Sequence, residues 1–218
     1  MSFTYDYPHP AVTADIVIFS IRDEELHALL IQRKLTPFKG SWALPGGFIQ
    51  MDEDLETGAA RELAEETGLT GIHLEQLGAF GRPDRDPRER VITIAFLALV
   101  PSDKLVLRAA TDASDAQWFN LSNLPDLAFD HEEILNTGRE RLAAMISSDI
   151  AQSARVVFEF LPKKFTLAQA QVVFEIIKGE SLDKRNFRKW IMANWPLSDL
   201  QEKTKGGRHR PAALYSLV

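Results

Sequence analysis

The chain has 218 residues, 45% of them hydrophobic, a net charge of −6 and no cysteine. That composition is ordinary for a globular protein of one large or two modest domains, and it excludes a disulfide framework or a cysteine-held metal. No apolar run approaches the ~20 residues of a membrane span, and Met1–Pro10 lacks the basic and apolar regions of an export signal, so a cytoplasmic protein without a membrane partner is expected.

The charge is unevenly placed. From Arg155 to the end there are 12 Lys and Arg against 6 Asp and Glu, which is +6; residues 1–154 hold 13 against 25, which is −12. An acidic body joined to a basic tail points to two partners of different kinds.

In chain order, residues 12–21 are rich in β-branched side chains and predict a strand. Residues 27–33 predict a second, with Asp23-Glu24-Glu25 as the turn between them. Trp42-Ala43-Leu44 leads into a Pro45-Gly46-Gly47 turn.

Then comes the stretch around which the chain is organised: Gly47, five residues, Glu53, seven residues, and Arg61-Glu62-Leu63-Ala64-Glu65-Glu66-Thr67-Gly68-Leu69. From Leu55 onward its composition favours a helix. At about 100° per residue, Glu62, Glu65 and Glu66 share one arc, while Ala60, Leu63, Ala64 and Thr67 share the opposite arc and are expected to face a core. Gly68 supplies the stop. Three carboxylates on one arc repel one another, and only Arg61 is near, placed to one side where it can hold Glu53. Such hard oxygens suit Mg²⁺ or Mn²⁺; the competing reading is an acidic solvent-facing helix.

Residues 72–80 and 91–100 predict two further strands, the second almost wholly apolar and therefore buried. Residues 116–119 predict a short last strand. Asp130, with Glu133 three residues on, resembles a capping box ahead of a helix whose apolar face is Ile134, Leu135, Leu142, Met145 and Ile146. One helix set among strands fits an α/β or α+β layered domain, 1–147. Residues 147–154 are small and polar and form the expected linker.

The remainder, 155–218, is compact. Thr166 caps a predicted helix with the stripe Leu167, Ala170, Phe174 and Ile177, ended by Gly179. A second helix over 182–194 divides into an inner arc of Phe187, Trp190 and Ile191 and an outer arc of Lys184, Arg185, Arg188 and Lys189. Two strands follow around Lys205-Gly206-Gly207-Arg208, a hairpin signal. Helix, turn, basic helix and basic hairpin describe a winged helix, with the second helix suited to the major groove of double-stranded DNA and the hairpin to phosphates. The competing reading is a solvated charged face; Arg208 and Arg210 extend the charge onto a second element and favour DNA. Asn186, between the arcs, reads equally as structural or base-contacting.

The stretch from Gly47 to Leu69 resembles the signature of the Nudix hydrolase superfamily at every defining position. The resemblance implies a mixed sheet with helices, a divalent metal, and cleavage of nucleoside diphosphates linked to another moiety. It implies Glu62 and Glu66 as metal ligands, Glu65 as a further ligand or base, the Gly47 carbonyl as a further ligand, and Glu53 with Arg61 orienting the carboxylates. The whole arrangement is similar to the branch joining a Nudix domain to a C-terminal winged helix, which includes regulators of NAD metabolism and of sugar utilisation. Matching features are the segment from Gly81 to Arg88, Phe129-Asp130-His131, Asn186-Phe187-Arg188 and Arg210-Pro211-Ala212. Pro83, 15 positions after Gly68, is placed as in ADP-ribose pyrophosphatases.

The resemblance therefore implies hydrolysis of ADP-ribose to AMP and ribose 5-phosphate, joined to ADP-ribose-responsive binding of an operator; because one winged helix offers only a small contact and two-fold operators are read by symmetric dimers, a homodimer is expected. The alternative is a sensor of ADP-ribose or a sugar that represses without catalysis, as in branch members with degraded motifs; here every acidic position is kept. Arg82, Arg85 and Arg88 are candidates for the diphosphate, or for surface ion pairs with Asp84 or Asp86.

Overall fold

The computed structural model describes residues 6–101, 116–147, 157–204 and 211–218. Residues 148–154 of the expected linker, the hairpin tip with Arg208, and Arg210 lie outside the described residues, as does the side chain of Ile146. The chain divides into two compact units. The first takes in most of the described residues up to Arg139; the second takes in Ser20–Leu26, the residues from Leu99 to Pro101 and the described residues from Glu140 to the C-terminus.

The centre of the first unit is β1 (Ala11–Arg22), buried continuously from Thr13 to Ile21. A strand covered on both faces needs the unbroken apolar run seen in its sequence. β2 (Glu25–Gln32) follows a two-residue turn in which Asp23 and Glu24 have φ of 49° and 61°. This handedness matches the twist of the flanking strands, so Glu25 opens the strand rather than closing the turn. The remaining strands are β3 (Trp42–Ala43), β4 (Gly46–Phe48), β5 (Glu75–Phe80), β6 (Val91–Leu99) and β7 (Ala116–Asn120). All seven form one sheet in the order β3-β2-β1-β6-β5, with β4 paired to β1 and β7 to β2.

β5 is shorter than the sequence predicts: residues 72–74 keep their apolar alternation, but the ladder with β6 starts at the Glu75–Leu97 pair.

α1 (Leu55–Thr67) begins at Asp54, whose side chain accepts from the Thr57 amide, and ends at a left-handed Gly68. Its buried face is Gly58, Ala59, Leu63 and Thr67. Ala60 is exposed and Ala64 only half-buried, so the core arc lies rotated from the one predicted. The rotation follows from Gly58, whose missing side chain lets α1 pack on the Ile49 side chain and Glu53, while Arg61 bonds the Phe48 carbonyl and Glu62 rests on Gly47.

α2 (His131–Ser147) buries Ile134, Leu135 and Leu142 as expected. Asp130 precedes it, but its carboxylate is taken by Arg85 rather than by the helix end.

In the second unit, α3 (Leu167–Lys178) starts in a full capping box between Thr166 and Gln169 and ends at left-handed Gly179. Its buried stripe is Leu167, Ala170, Val173 and Phe174, with Ile177 half-buried. α4 (Lys184–Asn194) starts later than predicted, because Asp183 is its cap. The Leu182 amide bonds the Glu175 carboxylate and its carbonyl accepts from Gln171, so residue 182 belongs to the α3–α4 turn. Phe174 meets Phe187 and Trp190 edge-on, with ring centroids 5.4 and 5.3 Å away. β8 (Leu197–Lys203) and β9 (Ala213–Leu217) pair antiparallel, and β9 joins the segment before α3 through Phe165 and Tyr215. Helix, turn, helix and two-stranded wing make a winged helix.

Candidate active site and nucleic-acid interface

Pairing of β4 with β1 sets Gly46 opposite Asp15 and Gly47 opposite Ala14. This presents the glycine edge to α1. The Gly46 amide donates to Glu66 Oε2 at 2.8 Å. A Cβ on Gly47 would lie 2.5 Å from the Glu62 carboxyl carbon, so the Glu62 carboxylate rests against a backbone that only glycine leaves open.

Arg61 holds the other side of the arc. Its Nε and one terminal nitrogen grip Glu53 at 3.0 and 2.6 Å, and that second nitrogen also reaches the Phe48 carbonyl at 3.1 Å. Its remaining nitrogen donates to Glu62 at 2.7 Å and Glu65 at 3.3 Å. The hydrogen bonds from Arg61 hold the Glu53 carboxyl down at about 2, and the same pairing raises Arg61, fixing it as a cation. The three arc carboxylates thus differ in setting. Glu65 is 59% exposed, Glu62 is 16% exposed, and burial pushes Glu66 up to about 8, with Glu62 and Asp15 adding to the rise against the Gly46 hydrogen bond.

A cavity of about 260 Å³ opens beside this edge, and of the three arc carboxylates only Glu66 lines it, together with Gly46, Gly47 and Phe48. Its floor is a polar cluster. Arg85, 5% exposed, makes a two-pronged bond to Asp130 at 3.0 and 2.8 Å and a third to Asp15 at 3.1 Å. Burial works against the Arg85 charge, but Asp130 and Asp15 outweigh it and raise its pKa. His131 Nδ1 accepts the Leu44 amide at 2.9 Å, and burial lowers its pKa, so the ring is neutral with its proton on Nε2, which faces Asp15 Oδ1 at 3.6 Å. At the rim, Arg88 chelates Asp86 at 3.0 and 2.7 Å; that hydrogen bonding lowers Asp86 and raises Arg88. Arg33 lies 4.6 Å over the Phe129 ring, and burial, with Arg88 nearby, lowers its pKa.

The sequence candidates therefore separate. Gly47, Glu66, Arg85 and Arg88 share the cavity; Glu53, Arg61, Glu62 and Glu65 form the clamp beside it. Arg82 is 60% exposed, paired loosely with Asp84 and Glu133 at 3.7 and 3.4 Å, and does not line the cavity. Arg85 pairs with neither Asp84 nor Asp86; Asp15 and Asp130 hold its guanidinium at the cavity floor. Sequence reasoning missed Asp15, Arg33 and the ring of His131. A signal existed for Asp15, the one charge inside the apolar run of β1.

A divalent cation fits this edge as a partial cage. Glu66 is a half-buried carboxylate with no cationic side chain bonded to it among the described residues, Glu62 faces Gly47, and the donors are all hard oxygens. No three described His, Asp or Glu side chains close a full protein cage; Mg²⁺ commonly uses one or two carboxylates and completes its shell with water and phosphate oxygens.

In the second unit, Lys184, Arg185, Arg188 and Lys189 are all exposed along α4. None has a carboxylate partner among the described residues. Lys184 and Arg188 line a concavity of about 560 Å³ with Thr166, Gln171, Lys203 and Pro211. This cationic surface spans both helices and the wing.

Residues 10–137 match the NUDIX domain family, and residues 157–217 match the NrtR DNA-binding winged helix domain. The "ADPR responsive transcriptional repressor NtrR" of Acinetobacter baylyi is 35% identical over 214 residues, covering 96% of this chain and 83% of its own length. The "ADP-ribose pyrophosphatase" of Methanocaldococcus jannaschii is 47% identical over 129 residues, 59% of this chain and 73% of its own. The crystal structure of Shewanella oneidensis NrtR complexed with a 27mer DNA has 34% identity and a TM-score of 0.78, covering 95% of this chain and 93% of that one. The chain belongs to the Nudix family, in the branch that carries an NrtR-type winged helix after the Nudix domain. Nudix hydrolases generally use divalent metal ions.

Proposed function

We propose that this protein hydrolyses ADP-ribose to AMP and ribose 5-phosphate, and that it is an ADP-ribose-responsive DNA-binding regulator of NAD metabolism. Residues 1–147 are assigned the ligand and its chemistry, and 155–218 the operator. The observation that carries the hydrolytic reading is the pairing of Glu62 and Glu66 with the Gly46–Gly47 edge beside a cavity rimmed by Arg33 and Arg88.

Glu62, Glu66 and the Gly47 carbonyl would hold Mg²⁺ or Mn²⁺, with Glu65 as a further ligand or as base. When bound, the ion neutralises charge on the diphosphate and lowers the pKa of the attacking water. The protein's own groups do the rest. Arg61 and Glu53 fix the direction of Glu62. Arg88 is held by Asp86 yet 40% exposed, so it presents N–H groups to a phosphate oxygen. Phe48 and Phe129 give the cavity rim apolar faces. A carboxylate takes the proton released by water.

A second reading, sensing without turnover, draws on one observation: a single Arg61 nitrogen bridges Glu62 and Glu65, so two of the arc carboxylates are engaged by a guanidinium. Incubation with ADP-ribose and Mg²⁺, followed for AMP, separates the two. AMP formation lost in Glu66→Gln supports the hydrolase; a wild type that binds ADP-ribose and forms no AMP is a sensor.

On the DNA side, Lys184, Arg185, Arg188 and Lys189 are assigned to the duplex, with Arg208 and Arg210 from the wing. The relatives named for transcriptional repression and for a DNA complex support this assignment; a symmetric dimer is proposed to match a two-fold operator. DNA binding places the protein in the compartment that holds the DNA.

A further inference from the structure

The ladder between β2 and β3 ends at the Ile31–Ala43 pair. The next amide, Leu44, is buried and has no strand acceptor beyond that point; it donates instead to His131 Nδ1, 87 positions away. A buried amide without a partner costs about 1–3 kcal/mol, so this acceptor decides where the chain goes next. Two residues on, the Gly46 amide donates to Glu66 Oε2. Between them, the Pro45 carbonyl accepts from Ile16 at 2.8 Å. His131 is therefore the side-chain end of a short rigid path, Leu44–Pro45–Gly46, whose other end grips a carboxylate assigned to metal.

The ring itself is immobilised. It is 4% exposed, and its Nε2 side faces Asp15, which Arg85 ties to Asp130, the residue preceding His131 in the chain. Asp15 in turn pairs with Gly46 across β1 and β4. The path closes on itself.

We infer that His131 is a positioning residue for the metal-binding edge, acting through the Leu44 amide to set the Gly46 N–H that orients Glu66. This rests on the reading of Glu66 as a metal ligand. A neutral ring is required, because Nδ1 must carry a lone pair; burial holds it in that form.

The test is Mn²⁺ titration of the full chain without substrate, followed by the resonance of free Mn²⁺, with kcat and KM for ADP-ribose measured alongside. His131→Leu removes the acceptor and weakens Mn²⁺ roughly 10–100-fold, the range for outer partners of metal ligands, lowering kcat while KM changes little. His131→Asn places an amide oxygen where Nδ1 stood and recovers most of the affinity. Wild-type Mn²⁺ affinity in His131→Leu overturns the inference, as does a His131→Asn variant no better than the Leu variant. Should His131→Leu fail to fold, nitrogen-15 spectra of the wild type decide: an unprotonated Nδ1 coupled to the Leu44 amide supports the inference, and a protonated Nδ1 overturns it. Because the titration needs no turnover, the variants decide this point even in a protein that hydrolyses nothing, a result that would instead count against the hydrolase.

Discussion

Glu66 and Gly46 are joined by a 2.8 Å hydrogen bond from the Gly46 amide to Glu66 Oε2, and this bond does not offset the burial of the carboxyl. Desolvation leads the rise of Glu66 from an ordinary value of 4.5 to about 8. Between those values the folded protein holds a proton that the unfolded chain has released. Stability contributed by this group is therefore fully present below pH 4.5, falls as pH rises, and levels off above about 8. A cation beside Glu66 reverses the penalty. Melting in the absence of metal should drop more steeply between pH 5 and 8.5 in the wild type than in Glu66→Gln. Mg²⁺ should raise the wild-type Tm more at pH 8.5 than at pH 6, and leave Glu66→Gln nearly unmoved. Parallel melting curves for the two proteins would count against a desolvated carboxylate poised for metal.

Arg85 is predicted to be a stability residue first. Arg85→Ala leaves Asp15 and Asp130 buried without a cation, which costs about 3–5 kcal/mol, and Arg85→Lys does not rescue it, because a point charge cannot replace the two-pronged grip on Asp130. Thermal melting checks this. An unchanged Tm in Arg85→Ala would return Arg85 to the phosphate-binding candidates.

The site shows what one sequence can disclose. The Gly47–Leu69 stretch was legible because its carboxylates and their clamp lie within one helix and the turn before it, where spacing is geometry. The winged helix was legible for the same reason: Thr166, Gln169 and Gly179 bound α3, and Phe187 and Ile191 divide α4, all by local rules. The cavity floor was not. Its bonds join residues 45, 70 and 87 positions apart, and no spacing rule links them. Nor could spacing choose among Arg82, Arg85 and Arg88, since Asp84 and Asp86 are equally near in sequence. What sets Arg85 apart from the other two is its burial beside Asp15 and Asp130, a tertiary fact. The core arc of α1 was misplaced because Gly58 packs closely while carrying no apolar side chain to mark it.

DNA affinity should fall steeply with salt, with a slope of roughly −0.9 for each phosphate neutralised. The charge split of +6 against −12 leaves attraction to the tail alone. Arg185→Ala with Arg188→Ala should abolish retention of a palindromic operator in a mobility shift and leave ADP-ribose hydrolysis intact. Arg208→Ala should weaken binding about equally on all sequences, as a phosphate contact does. Operator binding by the double variant at wild-type strength would make the α4 charges a solvated face.

A two-fold operator calls for a two-fold protein. Light scattering at micromolar concentration should give about twice the chain mass of 24.5 kDa. A mass near that of one chain would oppose the dimer.

One cavity is proposed both to sense and to consume ADP-ribose, and a time course of DNA release tests this. A preformed complex with operator DNA is mixed with ADP-ribose and Mg²⁺, and DNA release is followed in time. Release and then recovery are expected, as AMP accumulates and the ligand is spent; Glu66→Gln should release DNA and stay released. By linkage, ADP-ribose affinity should be weakened by DNA by the same factor. Release in the wild type that persists with no AMP formed, or AMP formation with no release at all, would mean that sensing and hydrolysis are not joined in this cavity.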